Sequence, residues 1–176
     1  AIKILNNHSV IGLKDMYILD SNLNKLFYWS GYSKDIEPGR HKETIGMARC
    51  INRVVLDKLE FDIWGGVYAN RSMDSYMSKK FLSVGIDFED NINVINGKKY
   101  SWNHKGYLME ELNVTCIDVK TTVNMNSVNK FIELNKSSIF EVNNKIEFLQ
   151  SNFDIDYYSF INKINQKSLN IEKIIK

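Results

Sequence analysis

The residues best placed to do chemistry lie between Asp35 and Gly46, where Arg40, His41 and Lys42 stand just ahead of an apolar repeat at helical spacing. Thr44 is a suitable N-cap for that helix. A helix N-terminus carries unpaired N–H groups and a partial positive charge, so it is a natural seat for an anion such as a diphosphate. The run Glu37-Pro38-Gly39-Arg40-His41-Lys42, opening into Thr44-Ile45-Gly46, therefore reads as a pyrophosphate cradle. An ordinary strand-to-helix loop shares these features, and a glycine near a helix start does not separate the two. Asp35, Glu37 and His104 are bases by residue type, although His104, beside Lys105-Gly106, reads first as a hairpin residue. Cys50, near an apolar helix face, reads as packing rather than as a nucleophile.

Composition removes several other chemistries. The chain holds two cysteines, Cys50 and Cys116, with no C-x-x-C pair, and its three histidines are far apart in sequence. A zinc site or disulfide scaffold is not expected, and no metal is assigned. The formal charge is +2 with Lys and Arg scattered, so nucleic acid is not the expected partner. Residues 1–10 lack the apolar stretch of a signal peptide, and no 18-residue apolar run occurs, which points to a cytoplasmic protein without a membrane partner.

The elements that must position the loop follow from periodicity. Ile2-Lys3-Ile4-Leu5, residues 10–19 and residues 26–33 read as strands, with turns at Asn6-Asn7-His8-Ser9 and Asp20-Ser21-Asn22. Ile45, Ala48, Ile51, Val55 and Leu59 recur every three or four residues, predicting a helix over 44–59. Residues 61–68 read as a strand. Ser72 caps a shorter helix to about Lys80. Leu82, Val84, Ile86 and Phe88 alternate as one side of a strand over 81–88. Asn96-Gly97 between Asn93-Val94-Ile95 and Tyr100-Ser101-Trp102 is a strong hairpin signal, and Tyr107-Leu108-Met109 reads as a final strand. Beyond Leu112 the chain contains no glycine and no tryptophan; residues 131–134, 139–149 and 171–175 read as helical. The expected division is a core over 1–112 and a mainly helical extension over 113–176. The fold class is α/β (α+β), with a mixed, mostly antiparallel sheet flanked by helices.

The order strand, loop, helix, strand, helix, strand, hairpin resembles the GNAT acetyltransferase superfamily. Its pyrophosphate loop, Arg/Gln-x-x-Gly-x-Gly/Ala, is matched here by His41-Lys42-Glu43-Thr44-Ile45-Gly46, in which only Gly46 fits outright and Arg40 is the adjacent charge. The stretch from Asn70 through Tyr76 to Phe81 keeps the family's Tyr-to-Phe spacing; Lys80 replaces its glycine, and Lys79 and Asn70 are each displaced by one position. Residues 106–112 resemble the closing strand. Residues 10–13 with 18–20 resemble the early hairpin, as in the branch that acetylates amino sugars and ribosomal proteins. The likeness spans residues 2–112, and the family's first strand and first two helices have no counterpart before Ala1.

The resemblance implies an N-acyltransferase that uses acetyl-CoA or a longer acyl-CoA on a primary amine, with a nucleotide-linked amino sugar as first acceptor and a protein amine as second. It implies Tyr76 as the general acid toward the departing thiolate, since a phenol stays protonated at neutral pH. By residue pattern alone, Tyr76 would be a helix tyrosine packed on the sheet. The cofactor would meet Ile36, Arg40, His41, Thr44, Gly46 and Asn70, with backbone amides of residues 32–36 facing the pantetheine arm. A GNAT-shaped module that binds an acyl carrier or a protein partner without catalysis is the alternative. The C-terminal extension reads as a packing or homodimer element; Ser138-Ile139 faintly resembles the phosphopantetheine serine of acyl carrier proteins.

Overall fold

Val10-Ile11-Gly12-Leu13 is an uninterrupted apolar run, and such runs belong to strands covered on both faces. In the computed structural model, which describes residues 8–32, 43–46, 48–63, 73–87, 91–95, 97–120, 128–154, 156–164 and 166, all four of these residues are buried. They form β1 (Val10–Leu13), the middle of a three-stranded sheet. One neighbour is β4 (Cys50–Ile51), antiparallel; the other is β7 (His104–Tyr107), parallel in the register Val10↔His104 to Leu13↔Tyr107. A separate hairpin pairs β5 (Asn91–Ile95) with β6 (Lys98–Trp102). Its turn includes Gly97 at φ 78°, the conformation that the Asn-Gly signal demands.

A second four-stranded sheet has the order β8 (Ile117–Lys120), β2 (Met16–Asp20), β3 (Lys25–Trp29), β9 (Ile139–Glu141). The β2–β3 turn is built by Asp20, whose Oδ1 accepts from the amides of Asn22 at 2.9 Å and Leu23 at 3.1 Å. The helices are α1 (Arg53–Lys58), α2 (Met73–Ser83), α3 (Met109–Leu112), α4 (Val128–Leu134) and α5 (Lys145–Phe153), and residues 157–164 are also helical. The architecture is thus mixed α and β, with mixed but mostly antiparallel sheets flanked by helices. Among the described residues no helix is long and apolar enough to cross a membrane.

The chain forms two compact units that interleave in sequence. Unit 1 is Ala1–Lys14 with Lys42–Asn113; unit 2 is Asp15–His41 with Val114–Lys176. Asn113 is the last residue of unit 1, and the described residues 15–32 belong with the C-terminal region in unit 2. Each unit has its own core. Unit 1 buries Val10, Val55, Leu59, Met77, Phe81, Ile86 and Trp102 together. Unit 2 buries Leu19, Leu26, Leu149 and Tyr157.

Several elements differ from their sequence-based expectation. The early hairpin over 10–20 does not form: β1 and β2 belong to different sheets. The helix expected over 44–59 begins only at Arg53. Ala48 sits at φ 58°, which no right-handed helix passes, and Cys50 and Ile51 pair with β1 instead. Its N-cap is Asn52, whose side chain accepts from the Val54 amide at 3.1 Å, not Thr44. The strand expected at 61 does not start there: Glu60 and Phe61 have φ of 51° and 60°, ending α1 in a turn, and residues 64–70 lie outside the described part. Tyr107 ends β7, and Leu108 caps α3 through its amide, which donates to Glu111 Oε2 at 2.6 Å. The helix expected over 139–149 splits into β9 and α5. The expected elements at 2–5 and 171–175 lie outside the described residues.

The strand expected over 81–88 is instead the end of α2. Gly85 has φ 82°, its amide donates to Leu82 O at 2.9 Å, and the Ile86 amide reaches back to Phe81 O at 2.9 Å. This is a Schellman cap, sealed by contact between Phe81 and Ile86, both 1% exposed. Leu82, which alternation placed inside, is 57% exposed. A Gly85→Ala substitution should therefore lose about 1–2 kcal/mol, because an L-residue resists left-handed φ. Urea unfolding checks this; an unchanged or raised midpoint would favour an extended segment here.

Candidate functional site

The most elaborate polar cluster among the described residues lies in unit 1 and centres on Thr44, which is fully buried. Its hydroxyl is 2.6 Å from His104 Nε2 and accepts from Arg49 Nε at 2.9 Å. Arg49 also donates through Nη2 to Thr44 O at 2.6 Å and through Nη1 to the Met77 sulfur at 3.6 Å. One guanidinium thus ties the loop to α2. The Ile45 amide donates to Leu13 O at 2.7 Å, holding the same loop on β1.

This packing needs a missing side chain. Gly12, in β1, lies so close to Thr44 that a Cβ there would stand 2.7 Å from both Thr44 Cβ and Oγ1. Its register partner on β7 is Gly106. The bare position at Gly12 lets Thr44 seat directly against β1, whereas the space at Gly106 is taken by the Lys14 side chain, whose Cγ a Cβ there would meet at 2.8 Å.

His104 opens β7 and is 4% exposed, with its amide donating to Asp87 O at 2.6 Å and its ring edge-on to Phe81 at 5.7 Å. Burial, and secondarily the charge of Arg49, push its pKa down to about 3. A group that holds a proton so weakly is a poor base at neutral pH, so His104 leaves the set of base candidates. A second histidine stands at the same end of the strand. His8 Nδ1 is 2.9 Å from Asn103 Oδ1, and Tyr107 Oη is 3.0 Å from His8 Nε2. A carbonyl oxygen only accepts, so Nδ1 carries the hydrogen and Nε2 of a neutral ring accepts from the phenol.

The other expected site residues distribute as follows. Tyr76 is on α2 and 42% exposed, while its neighbours Met77 and Phe81 are 4% and 1% exposed. The helix is therefore anchored by the residues beside the tyrosine, and the phenol faces outward rather than onto a sheet. Lys80, one turn on, bonds Asp62 at 2.5 Å, and its ammonium is held above its ordinary pKa first by that hydrogen bond. Gly46 is half-buried in the loop, outside any helix. Thr44 faces His104 rather than an opening, and the Ile45 amide is already used, so this stretch presents no helix N-terminus to an anion. Ile36, Arg40, His41 and Asn70 lie outside the described residues, as do Asp35 and Glu37. Cys50 is half-buried in β4, not mid-helix. Ser138 is 4% exposed in the turn before β9, bonded to Asn135 O, unlike a serine that carries a prosthetic arm.

Sequence reasoning missed Arg49 and the pairing of Thr44 with His104. The available signal was Gly12, within a strand, where glycine marks close approach of another chain segment. Gly12→Ala should cost about 1–3 kcal/mol, since the added methyl displaces Thr44 from a filled core. Chemical denaturation measures this; a neutral effect would mean that the loop does not sit on β1. No family model matches the chain, and neither a curated protein nor a solved structure matches it.

Proposed function

We propose that the chain is an N-acyltransferase that moves an acetyl or longer acyl group from coenzyme A to a primary amine, in the cytoplasm, with a nucleotide-linked amino sugar as the first acceptor class. The observation that carries the reading is Tyr76: an outward phenol on a helix pinned by Met77 and Phe81, within the Tyr76-to-Phe81 spacing that resembles the GNAT superfamily. Acyl transfer requires attack by a neutral amine on the thioester carbonyl and a proton for the sulfur that leaves. An accessible phenol can give that proton. Lys80, held by Asp62 one turn away, keeps a positive charge on the same helix face.

The fit of the cofactor's diphosphate is narrower than the sequence suggested. Thr44 and Ile45 are closed against β1 and β7, and the Arg49 guanidinium is held by Thr44 and Met77. That closure favours a second reading, a module of similar shape that binds an acyl carrier or a protein partner without turnover.

Coenzyme A separates the two. A ligand at about 100 times its dissociation constant stabilises the folded state by roughly 2.7 kcal/mol. The transferase reading expects a clear rise in melting temperature at millimolar coenzyme A, and the second reading expects none. If binding is seen, Tyr76→Phe should slow turnover by about 100-fold or more with cofactor affinity nearly unchanged, the size of a lost general acid. Unaltered turnover removes Tyr76 from the chemistry.

A further inference from the structure

Unit 1 carries a second polar constellation, on the face of β7 opposite His104. Side chains alternate along an extended chain, so Asn103, Lys105 and Tyr107 share one face while His104 and Gly106 share the other. On the first face Tyr107 Oη lies 3.0 Å from His8 Nε2, and His8 Nδ1 lies 2.9 Å from Asn103 Oδ1. The three groups are thus a hydroxyl, an imidazole and an acceptor oxygen in series. Asn103 accepts from Nδ1, which leaves Nε2 of the neutral ring to accept from the phenol. The two rings meet edge-on, with centroids 6.1 Å apart and planes at 70°. Backbone bonds fix the parts. The Val10 amide donates to Asn103 O at 3.0 Å, and the Lys14 amide donates to Tyr107 O at 2.8 Å. Asn103 is 1% exposed, whereas His8 and Tyr107 are half-buried. The orienting group is sealed, and the two that would react are partly open to solvent.

A weak nucleophile is activated by this kind of arrangement: a hydroxyl within hydrogen-bond reach of a base, and the base oriented in turn by a third group. The pair Thr44 and His104 has the first two parts but is closed to any substrate, at 0% and 4% exposed. We propose that Tyr107 is a nucleophile toward activated acyl esters, with His8 as its general base and Asn103 as the residue that positions His8. The phenol oxygen attacks the acyl carbonyl and forms a C–O bond, while its proton passes to His8 Nε2. The tetrahedral adduct then collapses. The bond to the leaving oxygen breaks, and the imidazolium returns its proton to that oxygen. The product is an acyl ester of Tyr107. As a phenyl ester it is itself reactive and passes its acyl group to water: His8 takes a proton from the water, the ester bond breaks, and the imidazolium gives the proton back to the phenolate. The site is separate from Tyr76 and does not rest on the coenzyme A reading.

Treating the full chain with 4-nitrophenyl acetate, quenching in acid and locating the acetyl groups by peptide mass spectrometry tests it. Tyr158, 65% exposed and in unit 2, is the reference, because reactivity set by exposure alone would favour it over Tyr107. The proposal expects Tyr107 to be acetylated at least about tenfold faster than Tyr158, and His8→Gln to slow Tyr107 about 100-fold, the size of a lost general base, with Tyr158 unchanged. Asn103→Leu should slow Tyr107 about tenfold by releasing the ring to its other tautomer, while Asn103→Asp, which keeps the acceptor oxygen, should stay within about threefold. Acetylation of Tyr158 as fast as Tyr107 overturns the proposal. So does acetyl on His8 or Lys105 in place of Tyr107, or an unchanged Tyr107 rate in folded His8→Gln. An unchanged rate in Asn103→Leu overturns the positioning role. Should the variants not fold, the ratio of Tyr107 to Tyr158 in the unaltered chain decides. Coenzyme A is absent throughout, so these outcomes are independent of whether it binds.

Discussion

A buried hydroxyl shared between an imidazole and a guanidinium organises unit 1. Thr44 joins His104 on β7 to Arg49, and Arg49 continues to Met77 on α2. The strand between, β1, supplies the backbone oxygen of Leu13 for the Ile45 amide and, at Gly12, the space for Thr44 to descend. Buried polar groups are tolerated only when each finds a partner, so removing any member leaves the others exposed to the cost of desolvation. The apolar core beneath, with Val10, Met77, Phe81 and Ile86, is built from the same elements that carry the polar cluster. Packing and hydrogen bonding therefore constrain the same three segments.

That constraint bears on function in two ways. It fixes the helix that presents Tyr76, because Met77 and Phe81 cannot leave the core without exposing apolar surface. It also closes part of the loop that sequence reasoning assigned to a diphosphate. Both consequences come from one arrangement, which is why an outward phenol and a sealed loop occur in the same unit.

The sequence was legible where one local rule decided the outcome. Asn96-Gly97 specified a hairpin, and β5 and β6 pair across it. Asp20-Ser21-Asn22 specified a turn, and the Asp20 carboxylate builds it. The mixed α and β character was also legible, as was the helix over 131–134, which extends to α4. It was illegible where two rules competed. Ile51, Val55 and Leu59 have helical spacing, but Ile51 is in β4 and only the later two belong to the helical turn region. Leu82, Val84 and Ile86 alternate like a strand, yet Gly85 with Phe81 and Ile86 is equally a helix cap, and the cap prevailed. Thr44 looks like an N-cap by type because its partner, His104, is 60 residues away, and no local pattern reveals a bond across that separation.

The buried bond itself is the quantity to measure, through a double-mutant cycle of Thr44→Val and His104→Phe followed by denaturant unfolding. Each single change strands a buried polar partner, whereas the double change removes both, so the account predicts that the pair costs about 1–3 kcal/mol less than the sum of the singles. Additivity within about 0.5 kcal/mol would show that the two side chains do not interact, and would contradict the clasp on which unit 1 is built.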